Sequence, residues 1–409
     1  MLTVDQAMDA ILKRVRRLDT ETVSLADSLG RVLGEDVTAD TPMPPFDNSA
    51  VDGYAVNSTD VGPASPDSPR VMRVLGEIPA GGAPDFVVGA GTAVRIMTGA
   101  PMPRGANSVV MVEDTTSEED DAVTVMAQTR PGENVRYAGT DVARGALVVH
   151  SGSRIRPAEI AMLAAAGRAR VTVHRPPRVA VVSTGDEIVE IVDGVLPPPG
   201  KIRNSNRHAL AAMVRECGAV VCCETHIPDD PESTEAVLAA CAGPDCRADA
   251  VVTAGGVSVG DRDYVRPAVE KLGTLDLWRV AMKPGKPLAF GAIGEALFFG
   301  LPGNPVSAMV TFELFVRPAL LRMAGRGSSD LWRRQVQAIL TVSLPHSPGR
   351  REYVRAITVA HNGRFITQPT GAQGSNLLRS MTAANSLIIV PQDSPGLEPG
   401  GMVQVILLD

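Results

Sequence analysis

Residues 178–187, Arg-Val-Ala-Val-Val-Ser-Thr-Gly-Asp-Glu, set an unbroken apolar run (179–182) just before a glycine turn and two carboxylates. An unbroken run fits a strand covered on both faces, because a half-exposed strand alternates apolar and polar positions. Downstream, NSNRHALAAMVRECG (204–218) reads as a capped helix ending at Gly218, and AVVCC (219–223) as a strand. PESTEAVLAACA (231–242) reads as a helix after Asp229 and Asp230, and DAVVTAGG (249–256) as another buried strand. Strands alternating with helices of this length predict a parallel sheet between helical layers, a three-layer α/β domain. In such sheets ligands sit in the loops beyond the carboxyl ends of the strands. A long helix follows Asn304, with Pro305 in its first turn, where a missing N–H costs nothing. The pattern carries it to about Ala324.

Upstream, 3–18 places Val4, Ala7, Met8, Ile11, Leu12, Val15 and Leu18 on one helical face, with Thr3 and Gln6 spaced for a capping box. Its other face carries Asp5, Asp9, Lys13, Arg14 and Arg17, so the stretch does not read as a targeting signal. Residues 46–140 read as short strands between Gly/Pro turns, among them RVMRVLGEIPAG, TAVRIMTGAPMP and NSVVMVED, which predicts a small β domain. The acidic stretch 117–121 reads as a solvated hairpin tip. Residues 145–174 return to a strand, an Ala-rich helix after Pro157 and a strand, which makes the β domain an insertion. The expected division is an N-terminal α+β domain (1–45 with 141–175), the inserted β domain (46–140), the α/β domain (176–326) and a C-terminal β domain (327–409).

Composition narrows the function classes. The 409 residues suit two to four domains. A net charge of −7, with both signs mixed, lacks the basic field needed to displace counterions from a nucleic acid. No stretch approaches the roughly 20 apolar residues of a membrane span. Cys217, Cys222, Cys223, Cys241 and Cys246 contain no CxxC pair, and read as thiols of a reducing, cytoplasmic compartment and not as a zinc site.

Three loops of the α/β segment carry chemistry. One is Ser183-Thr184-Gly185-Asp186-Glu187. A second is 254–263, AGGVSVGDRD, whose Gly255 and Gly256 let backbone N–H groups approach an anion and whose Asp261 and Asp263 suit Mg²⁺ beside a phosphate. The third is Lys283-Pro284-Gly285-Lys286-Pro287, two cations three residues apart in a backbone stiffened by proline, so that less entropy is lost in fixing them on an anion. Leu301-Pro302-Gly303-Asn304-Pro305 then opens the long helix, whose N-terminus favours anions. Read without relatives, Asp52 and Asp229 fit turns equally well, and Thr98 with Gly99 fits strand-end packing.

SAVDGYAV (49–56), AVRIMTGAPMP (93–103), STGDE (183–187), TAGGVSVGDRDY (253–264), AMKPGKPLAF (281–290), GLPGNPVSA (300–308) and GAQGSNLL (371–378) resemble, in order, signature segments of the MoeA family. These are the molybdopterin molybdenumtransferases, to which the E domain of gephyrin also belongs. The resemblance implies completion of molybdenum cofactor: molybdenum from molybdate enters adenylylated molybdopterin, and AMP leaves in an Mg²⁺-dependent step. It implies a homodimer whose cleft lies between the α/β domain and the other subunit's β domain, and an upstream molybdopterin adenylyltransferase as partner. Carried over position by position, Lys283, Lys286, Arg355 and Ser375 match the molybdate cluster, and two ammonium groups, a guanidinium and a hydroxyl suit a tetrahedral dianion. Ser258 and Asp263 match positions tied to adenylate cleavage. Asp186 and Glu187 match the acidic turn that, with Asp263, is implied to hold Mg²⁺. Asp52, Thr98, Arg136 and Asp141 match positions on the partner side of the cleft, and Asp229, Gly255, Gly256, Pro302, Asn304 and Pro305 match positions at the cleft itself. Arg279 stands where some relatives carry lysine, so its charge is kept and its geometry is not.

Two other readings are open to test. An adenylyltransferase would carry a GGTG-like loop, whereas this chain has GGVSVG. A scaffold like gephyrin would need linker and domain sequence beyond the enzyme pattern.

Overall fold

The stretch that opens the α/β segment forms the strand Arg178–Thr184, and its apolar run is unbroken for a visible reason. Val179 and Val181 enter the core on one face of the sheet, while Ala180 and Val182 enter the core on the other. The computed structural model describes residues 1–118, 121–256 and 263–408. The sheet order is Val220–Ile227, Arg178–Thr184, Ala250–Ala254, Ala296–Leu301, Pro287–Ile293 and Gly273–Arg279. The first four strands run parallel. Pro287–Ile293 is antiparallel to both of its neighbours, so the sheet is mixed and not parallel throughout as the sequence suggests. Only Gly294 and Glu295 separate it from Ala296–Leu301, and a parallel return needs a crossover of a dozen residues or more.

Ser205–Glu216 and the long helix cover one face, and Pro231–Ala242 and Val265–Leu272 cover the other. Two of these helix starts satisfy otherwise orphaned N–H groups through a side-chain cap. Asn204 accepts from Arg207 N at 3.3 Å, and Asp230 from Ser233 N at 2.7 Å. The long helix runs as Pro305–Thr311, a π turn Phe312–Val316 and Arg317–Met323. Pro318 has no N–H to give the preceding turn, and the chain passes it through the wider turn.

The first helix is Val4–Arg14, with both halves of the Thr3/Gln6 capping box made. It ends four residues before the periodicity does, because Val15 turns extended and Leu18 N–H donates to Met323 O at 2.9 Å. Its Val4, Ala7, Met8 and Ile11 share a core with the α/β sheet, so this helix packs there and not with the strands that follow it. Those strands bracket the insertion: Thr20–Ser24 pairs with Arg170–His174, and Val37–Thr38 with Leu147–Val149. The inserted segment builds its own six-stranded sheet. In it Thr115–Glu118 and Ala122–Val125 pair as a hairpin, and residues 119 and 120 at the acidic tip lie outside the described residues.

In the last segment, Arg351–His361 pairs with both Arg364–Pro369 and Ser386–Val390. With Gln335–Leu340 and Met402–Leu407 these close a small five-stranded barrel, which leaves that circuit without an open edge. One short strand, Met282–Lys283, crosses from the α/β segment to pair with Arg351 and Glu352, and this contact positions the site.

Candidate active site

Two cavities meet at the carboxyl ends of the parallel strands. The first, about 600 Å³, is bounded by Thr184, Gly185, Glu187, Asp229, Gly255, Gly256, Asn304 and Pro305. The second, about 560 Å³, is bounded by Lys283, Lys286, Pro302, Asn304, Arg350 and Ser375. Gly255, Gly256, Gly303 and Asn304 belong to both, so one cleft joins a carboxylate-lined half to a cationic half.

The glycines at the join have no alternative. Gly255 (φ +99°) would set a Cβ 2.6 Å from Thr184 Oγ1, and Gly256 (φ +69°) would set one 2.2 Å from Val265 Cγ2. Both conformations are ones that side chains disfavour, so glycine keeps the backbone bare where the two halves meet. Asn206, a residue absent from the sequence-derived set, fastens the neighbouring loop through Nδ2 to Gly303 O at 2.7 Å. Its Oδ1 is buried without a hydrogen-bond partner among the described residues, so the first cavity holds an acceptor that a ligand donor would satisfy.

In the acidic half, Asp186 and Asp229 brace each other. Asp229 N–H donates to Asp186 Oδ1 at 3.1 Å, and Asp186 N–H donates to Asp229 Oδ2 at 3.4 Å. The Asp186 carboxylate therefore ties two strand-end loops, while Glu187 and Asp229 bound the cavity. Asp263 is half-buried, accepts Arg266 N–H at 3.5 Å at the start of Val265–Leu272, and does not line either cavity. Ser258 lies outside the described residues. Among the described residues no group of three or more His, Cys, Asp or Glu side chains converges as a metal cage. Glu187 and Asp229 do suit a hard cation that needs one or two carboxylates and takes its other oxygens from water and a ligand phosphate.

The cationic half is held at several points. Pro284 and Gly285 are buried, and a Cβ on Gly285 (φ +101°) would stand 2.4 Å from Thr311 Oγ1. Val280 N–H donates to Lys286 O at 2.9 Å and closes the turn. Lys283 Nζ pairs with Glu352 Oε1 at 2.8 Å, and Glu352 is only 7% exposed. An ammonium has three N–H donors, so this carboxylate aims Lys283 and leaves it donors for a ligand. Lys286 is exposed and makes no ion pair among the described residues.

Arg355 stands behind this wall. It is 1% exposed, with Nε donating to Ser380 Oγ at 3.2 Å and a terminal nitrogen to Gly374 O at 3.1 Å. Burial holds its guanidinium below its ordinary pKa. Gln373 accepts Arg355 N–H at 2.9 Å, so Arg355 and Gln373 brace the loop that carries Ser375. Val306 N–H donates to Ser375 O at 3.2 Å, which seats that loop on the helix opening at Pro305. Arg350 bounds the cavity, and sequence reading missed it because it sits in a run of arginines at a turn, where free solvation is the ordinary expectation.

Four expected residues from the inserted segment and its exit line neither cavity. Asp52 Oδ1 accepts Thr98 N–H at 2.7 Å and Thr98 Oγ1–H at 2.8 Å, and these bonds hold its carboxyl below the usual range. Arg136 and Asp141 are exposed, the former donating to Ala50 O at 3.5 Å.

Fold and cleft together define a multidomain protein whose α/β domain opens a cleft at its strand ends, lined by carboxylates in one half and by lysines beside the β-barrel contact in the other. Similarity then narrows the class. The MoeA N-terminal region (domain I and II) matches residues 2–167, a probable molybdopterin binding domain matches 180–322, and the MoeA C-terminal region (domain IV) matches 337–408. The molybdopterin molybdenumtransferase of Haemophilus influenzae is 35% identical over 99% of this chain and 98% of its own. Molybdopterin molybdenumtransferase 2 of Mycobacterium tuberculosis is 39% identical over 99% of each. The crystal structure of the molybdopterin biosynthesis moeA protein from Pyrococcus horikoshii superposes with a TM-score of 0.83 at 31% identity, covering all of both chains. The chain belongs to the MoeA family of molybdopterin molybdenumtransferases. Among the described residues no helix is long and apolar enough to cross a membrane.

Proposed function

We propose that this enzyme inserts molybdenum, supplied as molybdate, into the dithiolene of adenylylated molybdopterin and releases AMP. The observation that carries the reading is the joined cleft, with carboxylates at one end and Lys283, Lys286 and Arg350 at the other. The adenylate phosphate fits the bare backbone at Gly255 and Gly256, where N–H groups and a neighbouring helix N-terminus favour anions. Molybdate, a tetrahedral dianion, fits between the ammonium of Lys286, the oriented ammonium of Lys283, the guanidinium of Arg350 and the hydroxyl of Ser375. Arg355 acts one layer back, fixing the Ser375 loop.

Glu187 and Asp229, with Asp186 bracing their loops, are the groups that would hold Mg²⁺. Such an ion, when bound, neutralises phosphate charge and makes AMP a better leaving group. The residues themselves orient the phosphate, and the cations across the join lower the cost of bringing a second anion close to it. Asp52, Thr98, Arg136 and Asp141 complete the cleft from the other subunit of a homodimer, and a molybdopterin adenylyltransferase supplies the substrate, both in the cytoplasm.

Incubation with adenylylated molybdopterin, Mg²⁺ and molybdate yields AMP and cofactor that activates an apoenzyme. Pyrophosphate from ATP and metal-free pterin, without that AMP release, replaces this reading with adenylyl transfer.

A further inference from the structure

A third cavity, about 460 Å³, lies away from the cleft, where the chain leaves its first helix and meets the end of Arg317–Met323. Four arginines line it: Arg16 and Arg17 from the exit segment, Arg322 from the last helical turn and Arg326 just beyond. The backbone bond from Leu18 N to Met323 O, 2.9 Å, fixes the two segments against each other, so the arginines are gathered by the fold and not by chance rotamers. Val15 and Leu331, both buried, give the cavity an apolar backing.

Among the described residues no carboxylate forms an ion pair with these charges. Several other arginines at packed surfaces pair with carboxylates: Arg175 with Asp249 at 2.7 Å, Arg333 with Glu313 at 2.8 Å, and Arg351 with Asp5 at 2.8 Å. Among the described residues none of Arg16, Arg17, Arg322 and Arg326 makes an ion pair or a side-chain hydrogen bond. Helix ends do not absorb the excess. The carboxyl ends of the two helices here supply about −1 between them, which with Asp330 leaves roughly +2 from four guanidinium groups. Burial, with the charges of Arg154 and Arg317 outside the cavity, holds Arg326 below its ordinary pKa.

We propose that this arginine cavity binds a compact polyphosphate, a second anion site distinct from the catalytic cleft. Guanidinium forks match phosphate oxygens two at a time, and charge-assisted bonds of this kind are the stronger class. The volume lies within the range of small-ligand sites and fits a di- or triphosphate, alone or carried on a nucleotide.

The test is calorimetric titration of the full chain with pyrophosphate, tripolyphosphate and ATP, without divalent cations. It is run on the wild type, on Lys283→Ala/Lys286→Ala to remove cleft cations, and on Arg16→Ala/Arg17→Ala. Arg16 and Arg17 are exposed and follow the helix, and Arg16→Lys/Arg17→Lys keeps charge while losing the forks. One site per chain that survives the lysine substitutions is expected. Each lost guanidinium should weaken it about tenfold, with partial recovery in the lysine pair. Preference for ATP over tripolyphosphate identifies a nucleotide-borne ligand, and the reverse a free polyphosphate. The proposal fails if no saturable binding occurs, if the lysine substitutions abolish it, or if both arginine variants bind as the wild type does. It also fails if poly-glutamate displaces the anion at equal charge concentration, since the occupant is then a protein segment.

Discussion

Lys286 and Glu187 stand in opposite halves of one cleft, which gives their substitution different signatures. Lys286→Ala removes a charge-assisted donor from molybdate, worth about tenfold or more in the KM for molybdate. Affinity for the adenylate should stay close to that of the wild type. Glu187→Gln should leave molybdate KM nearly unchanged and slow AMP release. If both variants lose both properties to the same degree, the two halves do not have separate tasks. Asp52 and Thr98 make a different prediction, in pH. The two bonds from Thr98 hold the Asp52 carboxyl below its ordinary value in the folded chain. A carboxylate whose folded pKa is depressed adds stability above its unfolded pKa, near 3.9, and loses it as pH falls through the folded value. The Asp52 carboxyl carbon should therefore titrate below about 3.9 by NMR, and Thr98→Val should move the midpoint upward. An unchanged midpoint would show that the hydroxyl contributes nothing.

At the scale of elements, Asn204 carries more than a helix cap. It is 1% exposed, accepts Arg207 N–H, and donates Nδ2 to Ser183 Oγ at 2.8 Å and to Glu190 Oε1 at 3.2 Å. It thereby joins the start of Ser205–Glu216 to the end of Arg178–Thr184, at the edge of the first cavity. Asn204→Ala removes the partner of the buried Ser183 hydroxyl and the helix cap, and should cost about 1–3 kcal/mol in urea unfolding. Asn204→Asp keeps the cap but sets a second carboxylate beside Glu190, so it should not restore stability. The central strand was legible because burial on both faces writes an unbroken apolar run at 179–182. The direction of Pro287–Ile293 was not, because it depends on a two-residue turn that the pattern of strands and helices does not weigh. The order of glycines, lysines and carboxylates marked the cleft loops. Which side of a barrel strand a residue faces is decided by closure, and so Arg355 lies behind the wall that Arg350 bounds.

For the whole molecule, the arrangement of Asp52, Thr98, Arg136 and Asp141 poses a sharper question than any single contact. All four come from the inserted segment or its exit, and none lines the cavities built by the same chain's strand-end loops. A homodimer in which each cleft draws these residues from the other subunit makes a quantitative demand. Arg136→Ala disables the donor side of a cleft, and Lys286→Ala disables the receiving side. Dissociated and reassociated in equal amounts, the two inactive variants form mixed dimers in half of cases. Each mixed dimer holds one cleft with both defects and one with neither, so activity should return to about a quarter of the wild type by the symmetry of the assembly. Clefts built within one chain would give no recovery at any mixing ratio, because every subunit would keep its own defect. Light scattering on the same mixtures separates that outcome from a failure to reassociate, since recovered dimer mass without recovered activity shows that each cleft draws all its residues from one chain.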